Sequence, residues 1–187
     1  REGQTTPVYC YTSYPSAELF VNGKSQGRIV KNPSTRLDRY RLRWNNVVYE
    51  PGELKVVAYD NDGKVVATKI VRTASAPVAL IAEADRTVIK ADGNDLAFIT
   101  VSTQDKNGTF CPTVDDNLTF SVSGAATFRA TCNGDATSLQ PFTKPEMKLF
   151  SGQLVVVVQS NGKKGKATLT ITDSKRGLTK TVDIVAK

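Results

Sequence analysis

Apolar and polar residues alternate along most of this chain, and no apolar period of 3.6 continues beyond a turn or two. The alternation predicts strands over residues 7–12, 17–22, 26–31, 37–44, 53–60 and 64–72. Leu19 and Val21 face one way, with Glu18 and Phe20 opposite. Asn22-Gly23 follows at once, a pair suited to a two-residue hairpin turn that needs positive φ. The chain then returns toward Gly27 and Ile29. Leu54, Val56 and Ala58 share a face opposite Lys55, Val57 and Tyr59, and Asp60-Asn61-Asp62-Gly63 makes a tight turn into the next strand.

Beyond residue 75 the alternation is cleaner. Ala97, Ile99 and Val101 share a face; so do Leu118, Phe120 and Val122, and Ala167, Leu169 and Ile171, with Val182 and Ile184 closing the series. Asp92-Gly93, Asn107-Gly108 and Asn161-Gly162 punctuate these strands. Half-buried antiparallel strands with frequent turns are the mark of a β-sandwich. Leu154 to Val158 is apolar throughout, which predicts a central strand covered on both sides, with the long loop from Ser138 to Lys148 as one cover. Phe142 and Phe150 bracket that loop as its expected anchors.

Arg72-Thr73-Ala74-Ser75-Ala76-Pro77 is small, polar and ends in proline, as a short linker should. The reading is therefore all-β: two tandem immunoglobulin-like antiparallel β-sandwich domains, residues 1–74 and 75–187.

Two groups of motifs carry a family resemblance. The first is Tyr11-Thr12, the stretch Glu18-Leu19-Phe20-Val21-Asn22-Gly23-Lys24-Ser25-Gln26-Gly27, then Trp44 and Tyr49-Glu50-Pro51-Gly52-Glu53-Leu54-Lys55. The second runs from Cys111 to Gly124, then Asn133-Gly134-Asp135 and Phe150-Ser151-Gly152. In order and spacing they resemble the C-terminal accessory β-sandwich region of bacterial glycoside hydrolase family 2 enzymes of the β-galactosidase type. The resemblance implies a non-catalytic region whose partners are its own upstream catalytic barrel and sandwich domains. It also implies a bacterial periplasmic or secreted parent. The sequence opens on Arg1 rather than Met and carries no signal-peptide or lipidation motif, so it reads as an excised or processed segment.

Charge changes the picture in one place. The net charge is +7, and residues 1–75 hold 12 basic and 7 acidic residues, against 13 and 11 in residues 76–187. Arg39, Arg41 and Arg43 alternate with Tyr40, Leu42 and Trp44, which on one strand separates three arginines from three apolar groups. Such a face either stays solvated, docks on an acidic neighbour domain, or takes an anionic partner such as acidic glycan or nucleic acid. No aromatic interleaves with the arginines on their own face, so a nucleic-acid partner is not expected. There is no apolar run of the ~18 residues that a membrane span requires.

Catalytic chemistry is not expected. The six glutamates are Glu2, Glu18, Glu50, Glu53, Glu83 and Glu146, and Glu50 and Glu53 flank a Pro-Gly turn. Glycoside hydrolysis needs two carboxyls roughly 5–9.5 Å apart across the bond, and the resemblance places the family's pair in the barrel. The chain has no histidine, so Ser-His-Asp and Cys-His arrangements are excluded. Of the three cysteines, Cys10 and Cys132 read as inward-facing, and a Cys111–Cys132 disulfide stays open. Neither a cofactor nor a metal is implied: there is no CxxC, and the Asp60 turn lacks EF-hand spacing. Asp115-Asp116 and Asp135 read as turn caps, with calcium or a sugar hydroxyl as the alternative.

Aromatics are the remaining lead. Trp44 aligns with the core. Tyr9, Tyr11 and Tyr14 precede the hairpin, and two of them alternate with Val8 and Cys10. They are the candidate contact residues, for glycan or for a neighbouring domain. A chain used for glycan contact would be an autonomous carbohydrate-binding module, the alternative to an accessory scaffold.

Overall fold

The computed structural model describes residues 2–187. Arg1, the first residue of the predicted first domain, lies outside the described residues. Among these residues the regular elements are strands, in two compact units that divide between Thr73 and Ala74.

In the first unit the strands are β1 (Thr5–Tyr11), β2 (Ser16–Val21), β3 (Lys24–Val30), β4 (Arg41–Val48), β5 (Glu53–Tyr59) and β6 (Val65–Arg72). They form a four-stranded sheet, β3-β2-β5-β6, and a two-stranded sheet, β1-β4, with every pairing antiparallel. Ala17, Leu19 and Val21 from β2 meet Leu42, Trp44 and Val47 from β4, with Ala58 beside them. The Trp44 indole N–H donates to the Gly27 carbonyl at 2.9 Å, which satisfies the one polar atom that this buried ring carries.

The Asn22-Gly23 turn takes φ of 48° and 81° at its two central residues, as a type I′ hairpin requires. Asn22 does more than turn the chain. Its Oδ1 accepts the Glu53 N–H at 2.8 Å and its Nδ2 donates to the Pro51 carbonyl at 3.2 Å. Gly52 lies against it at φ 139°, where a Cβ would fall 1.9 Å from Asn22 Oδ1. The Asn-Gly hairpin and the Pro-Gly-Glu turn thus interlock in space.

One predicted strand is shifted four residues along the chain. Alternation suggests 37–44, but β4 begins at Arg41, and residues 37–40 lie in turns. Asn32 Oδ1 accepts the Ser34 N–H and Thr35 Oγ1 accepts the Asp38 N–H. Short polar side chains capping the backbone here outcompete extension. Tyr40 is consequently 67% exposed rather than in the core, and Arg39 leaves the arginine face.

The second unit has β7 (Pro77–Ala84), β8 (Val88–Ile89), β9 (Leu96–Asp105), β10 (Asn117–Gly124), β11 (Ala126–Cys132), β12 (Glu146–Lys148), β13 (Gln153–Ser160), β14 (Gly165–Asp173) and β15 (Leu178–Ala186). The two sheets run β12-β10-β14-β15-β8 and β11-β13-β9-β7. β8 joins β15 in parallel, the exception to an otherwise antiparallel sandwich. The predicted faces close on one another: Ala97, Ile99, Val101, Leu118, Ala167, Leu169, Ile171 and Ile184 are buried.

Three expectations change in this unit. β13 is central, between β11 and β9, with Leu154, Val156 and Val158 buried, but Val155 and Val157 are half-buried. The 138–148 loop is held at β10 and β11, through Phe120 N–H to Pro145 O and Thr131 N–H to Phe142 O. Phe142 and Phe150 are exposed; Met147 and Leu149 are the residues that bury themselves at the loop's end. Finally, a bulge at Arg129 shifts the β11–β13 register, so Thr131 turns inward and Cys132 outward. Cys10, Cys111 and Cys132 all hold free thiols.

Candidate functional site

The outer face of the β1-β4 sheet gathers two of the three candidate tyrosines. Residues opposite one another on neighbouring strands share a face, and the register sets Tyr9 against Arg43 and Tyr11 against Arg41. The Arg41 guanidinium lies 5.5 Å from the Tyr9 ring centroid and 5.8 Å from that of Tyr11, and it donates to the Tyr11 hydroxyl at 3.0 Å. Aromatics therefore do interleave with the arginines, from the neighbouring strand, where alternation along a single strand could not reveal them. Tyr9 is 47% and Tyr11 68% exposed. Tyr14 lies beyond the end of β1; its N–H donates to Thr12 Oγ1, and it joins none of the arginine contacts.

Arg43 is held differently. Its Nε and Nη2 donate to the two Asp38 oxygens at 2.5 and 3.0 Å, a two-pronged fork. That fork, with a bond from Thr35, holds the Asp38 carboxyl below its ordinary range. Arg41 thus presents positive charge between two exposed rings, while Arg43 spends its charge on Asp38. The arrangement suits a ligand with an apolar ring face and an anionic group, or a neighbouring domain with the same features.

On the inner side, a cleft runs between β1 and β6 over the face of β5. One part, of about 190 Å³, is lined by Thr6, Val8, Leu54 and Val71, and the next, of about 330 Å³, by Val8, Cys10, Val56 and Lys69. Burial pushes the Cys10 thiol pKa up, with nearby Lys31 partly offsetting it.

The carboxylates of the recognised motifs bond mostly within the fold. Glu18 accepts from Ser25 Oγ at 2.5 Å and from Tyr59 Oη at 3.1 Å; Glu53 pairs with Arg72 at 2.7 Å, and Glu50 accepts from Asn22 at 3.4 Å. Asp60 Oδ1 takes the N–H groups of Asp62 and Lys64, and Asp135 Oδ1 those of Thr137 and its hydroxyl. Asp116 is no turn cap. It is buried, and Lys175 at 2.5 Å and Arg176 both bond its carboxylate. Burial alone would raise its pKa; the two cations outweigh that and hold it below the ordinary value. Among the described residues no three His, Cys, Asp or Glu side chains group as metal ligands.

Comparison with known proteins places both units. Residues 80–181 match the glycoside hydrolase family 2 C-terminal domain 5, and residues 3–67 match a domain of unknown function (DUF4982). The chain is 42% identical over 171 residues to the β-galactosidase BoGH2A of Bacteroides ovatus, a match covering 91% of this chain and 19% of that protein. The fold of a glycosyl hydrolase family 2 member from Bacteroides cellulosilyticus superposes with a TM-score of 0.92 at 31% identity, over 100% of this chain and 23% of the other. A β-glycosidase from Bacteroides vulgatus superposes with a TM-score of 0.85 at 33% identity, over 99% of this chain and 23% of the other. The chain thus spans about a fifth to a quarter of the length of these relatives.

Proposed function

We infer, for a chain that belongs to glycoside hydrolase family 2 and lies in its C-terminal region, that it scaffolds an upstream catalytic barrel. The chain itself contains no barrel among the described residues: its parts are two β-sandwiches. The observation that carries the reading is the interlock of Asn22 with Pro51, Gly52 and Glu53. The most recognisable motif of the chain holds two turns together, and its glutamates, Glu18, Glu50 and Glu53, bond within the fold. Hydrolysis then belongs to the rest of the polypeptide, and the likeness to BoGH2A supports β-galactosides as its substrates. An exported or periplasmic location follows from that reading as part of the same proposal. Hydrolysis of an aryl β-galactoside tests it: the intact polypeptide should turn over and these 187 residues alone should not. Turnover by the 187 residues, or none by the intact polypeptide, overturns it.

The Tyr9-Arg41-Tyr11 arrangement supports a second role, contact with carbohydrate. Its test is calorimetric titration of the chain with galactosides and with uronate-containing oligosaccharides. Saturable binding lost in Tyr11→Ala supports the role; no saturation at millimolar ligand removes it.

A further inference from the structure

A sheet edge is a row of unpaired N–H and C=O groups, and natural edges are blunted by charge, proline, brevity or bulges. Every edge strand of this protein but β1 is blunted by charge or brevity. β3, β4, β6, β7, β11 and β12 each carry charged residues, among them Arg28, Arg41, Lys69, Glu83, Arg129 and Glu146, and β8 is only two residues long. β1, Thr5 to Tyr11, carries none. Its blunting is confined to its start, where Pro7 lies at a register shift between Thr6 and Val8, and Val8 to Tyr11 are regular, uncharged and free of proline.

The sheet that β1 closes has only two strands, so β1 has one paired edge and one free edge. Beside its free edge lies the apolar cleft. Val8 and Cys10 from β1, Leu54 and Val56 from β5, and Val71 from β6 line it, and Val71 is 58% exposed. Across the cleft, the facing edge strand β6 carries Lys69 among its lining residues, a charge that keeps β6 an edge. The apolar cleft, the uncharged run from Val8 to Tyr11 and the free edge of β1 coincide at one place.

We propose that β1 receives a further β-strand from another part of the same hydrolase polypeptide, antiparallel or parallel, with its alternate apolar side chains filling the cleft. Period-two alternation is what would seat every second side chain over Val8, Cys10 and Leu54 while the others face solvent. The donor is in the same polypeptide because the relatives carry about four-fifths of their length outside the matched region. A tethered strand acts at an effective concentration of roughly millimolar, which a second copy does not reach. The inference rests on the reading of this chain as part of a larger hydrolase.

Thiol alkylation at pH 8, mapped by mass spectrometry on the intact polypeptide, tests it. Cys10 lies on the cleft floor, Cys132 is exposed and Cys111 is buried, so the chain carries its own controls. With the strand in place, Cys10 in the intact polypeptide, normalised to Cys132, should react at least roughly tenfold more slowly than Cys10 in the 187-residue chain, where partial burial and a raised thiol pKa already set the baseline. Val71→Asp, which charges the cleft wall, should restore Cys10 reactivity and leave Cys132 unchanged. The same normalised Cys10 rate in the intact, active enzyme as in the 187-residue chain overturns the inference while leaving the functional reading standing. Cys10 protection that appears in the 187-residue chain only as its concentration rises overturns it in favour of a second copy.

Discussion

Asn22 and Gly52 show how much a single pair of residues can specify. The identity of Asn22 was legible in sequence as half of a hairpin turn, and its φ of 48° agrees. Its second task was not legible, because alternation says nothing about which turn lies beside which. The pair predicts an asymmetric result. Gly52→Ala combines a positive-φ backbone with a Cβ pressed on Asn22, and should cost about 1–3 kcal/mol from backbone strain alone. Asn22→Ala removes the acceptor of the Glu53 N–H and should cost about 1–2 kcal/mol. If the two act as one unit, the double variant loses less than the sum, measurable by urea unfolding of Trp44 fluorescence.

Whole elements were read best where burial alternates without interruption. β9, β10 and β14 match their predicted faces because one side of each is buried and the other is polar, which fixes register. The failures share a cause. β4 starts late because Asn32 and Thr35 cap turns, and Cys132 faces outward because one extra residue at Arg129 reverses the alternation. Both are local insertions of polar bonding into an apolar pattern, and neither has a signature in period. The Tyr9-Arg41-Tyr11 face is half visible in sequence: alternation sets out the tyrosines and the arginines, but their pairing needs the β1-β4 register. The charge cluster of the second unit was missed because Asp116 and Lys175 lie far apart in sequence. It ties the approach to β10 to the turn between β14 and β15. Asp116→Ala removes a buried acceptor from Lys175, which is 67% exposed, and from Arg176, which keeps Asp173 at 3.8 Å; the lost charged hydrogen bonds should destabilise this unit by about 1–3 kcal/mol, seen as a lowered melting transition by calorimetry.

At the scale of the molecule, acid is the condition to which this fold is tuned against. Asp105 accepts the Ser75 N–H at 2.9 Å, the Thr109 N–H at 2.8 Å, the Asn107 N–H at 2.9 Å and the Ser75 hydroxyl at 3.1 Å. The Ser75 backbone bond foremost, with the others, lowers its pKa to about 2. An unfolded aspartate titrates near ~3.9, so the unfolded chain takes up the proton first. The stabilisation is complete above about pH 4 and disappears as pH falls toward 2. Melting temperatures measured from pH 5 to pH 2 should fall through that window, and Asp105→Asn should flatten part of the fall. The tandem arrangement was legible from the polar Arg72–Pro77 stretch, whereas the grip of Asp105 on Ser75 was not. The Asn22–Gly52 contact has a different consequence, for anyone recombining these domains. Its two halves belong to separate stretches of chain, so a chimaera that imports the hairpin without the matching glycine drives a Cβ onto the Asn22 amide, and crossover points should keep both on the same parental side.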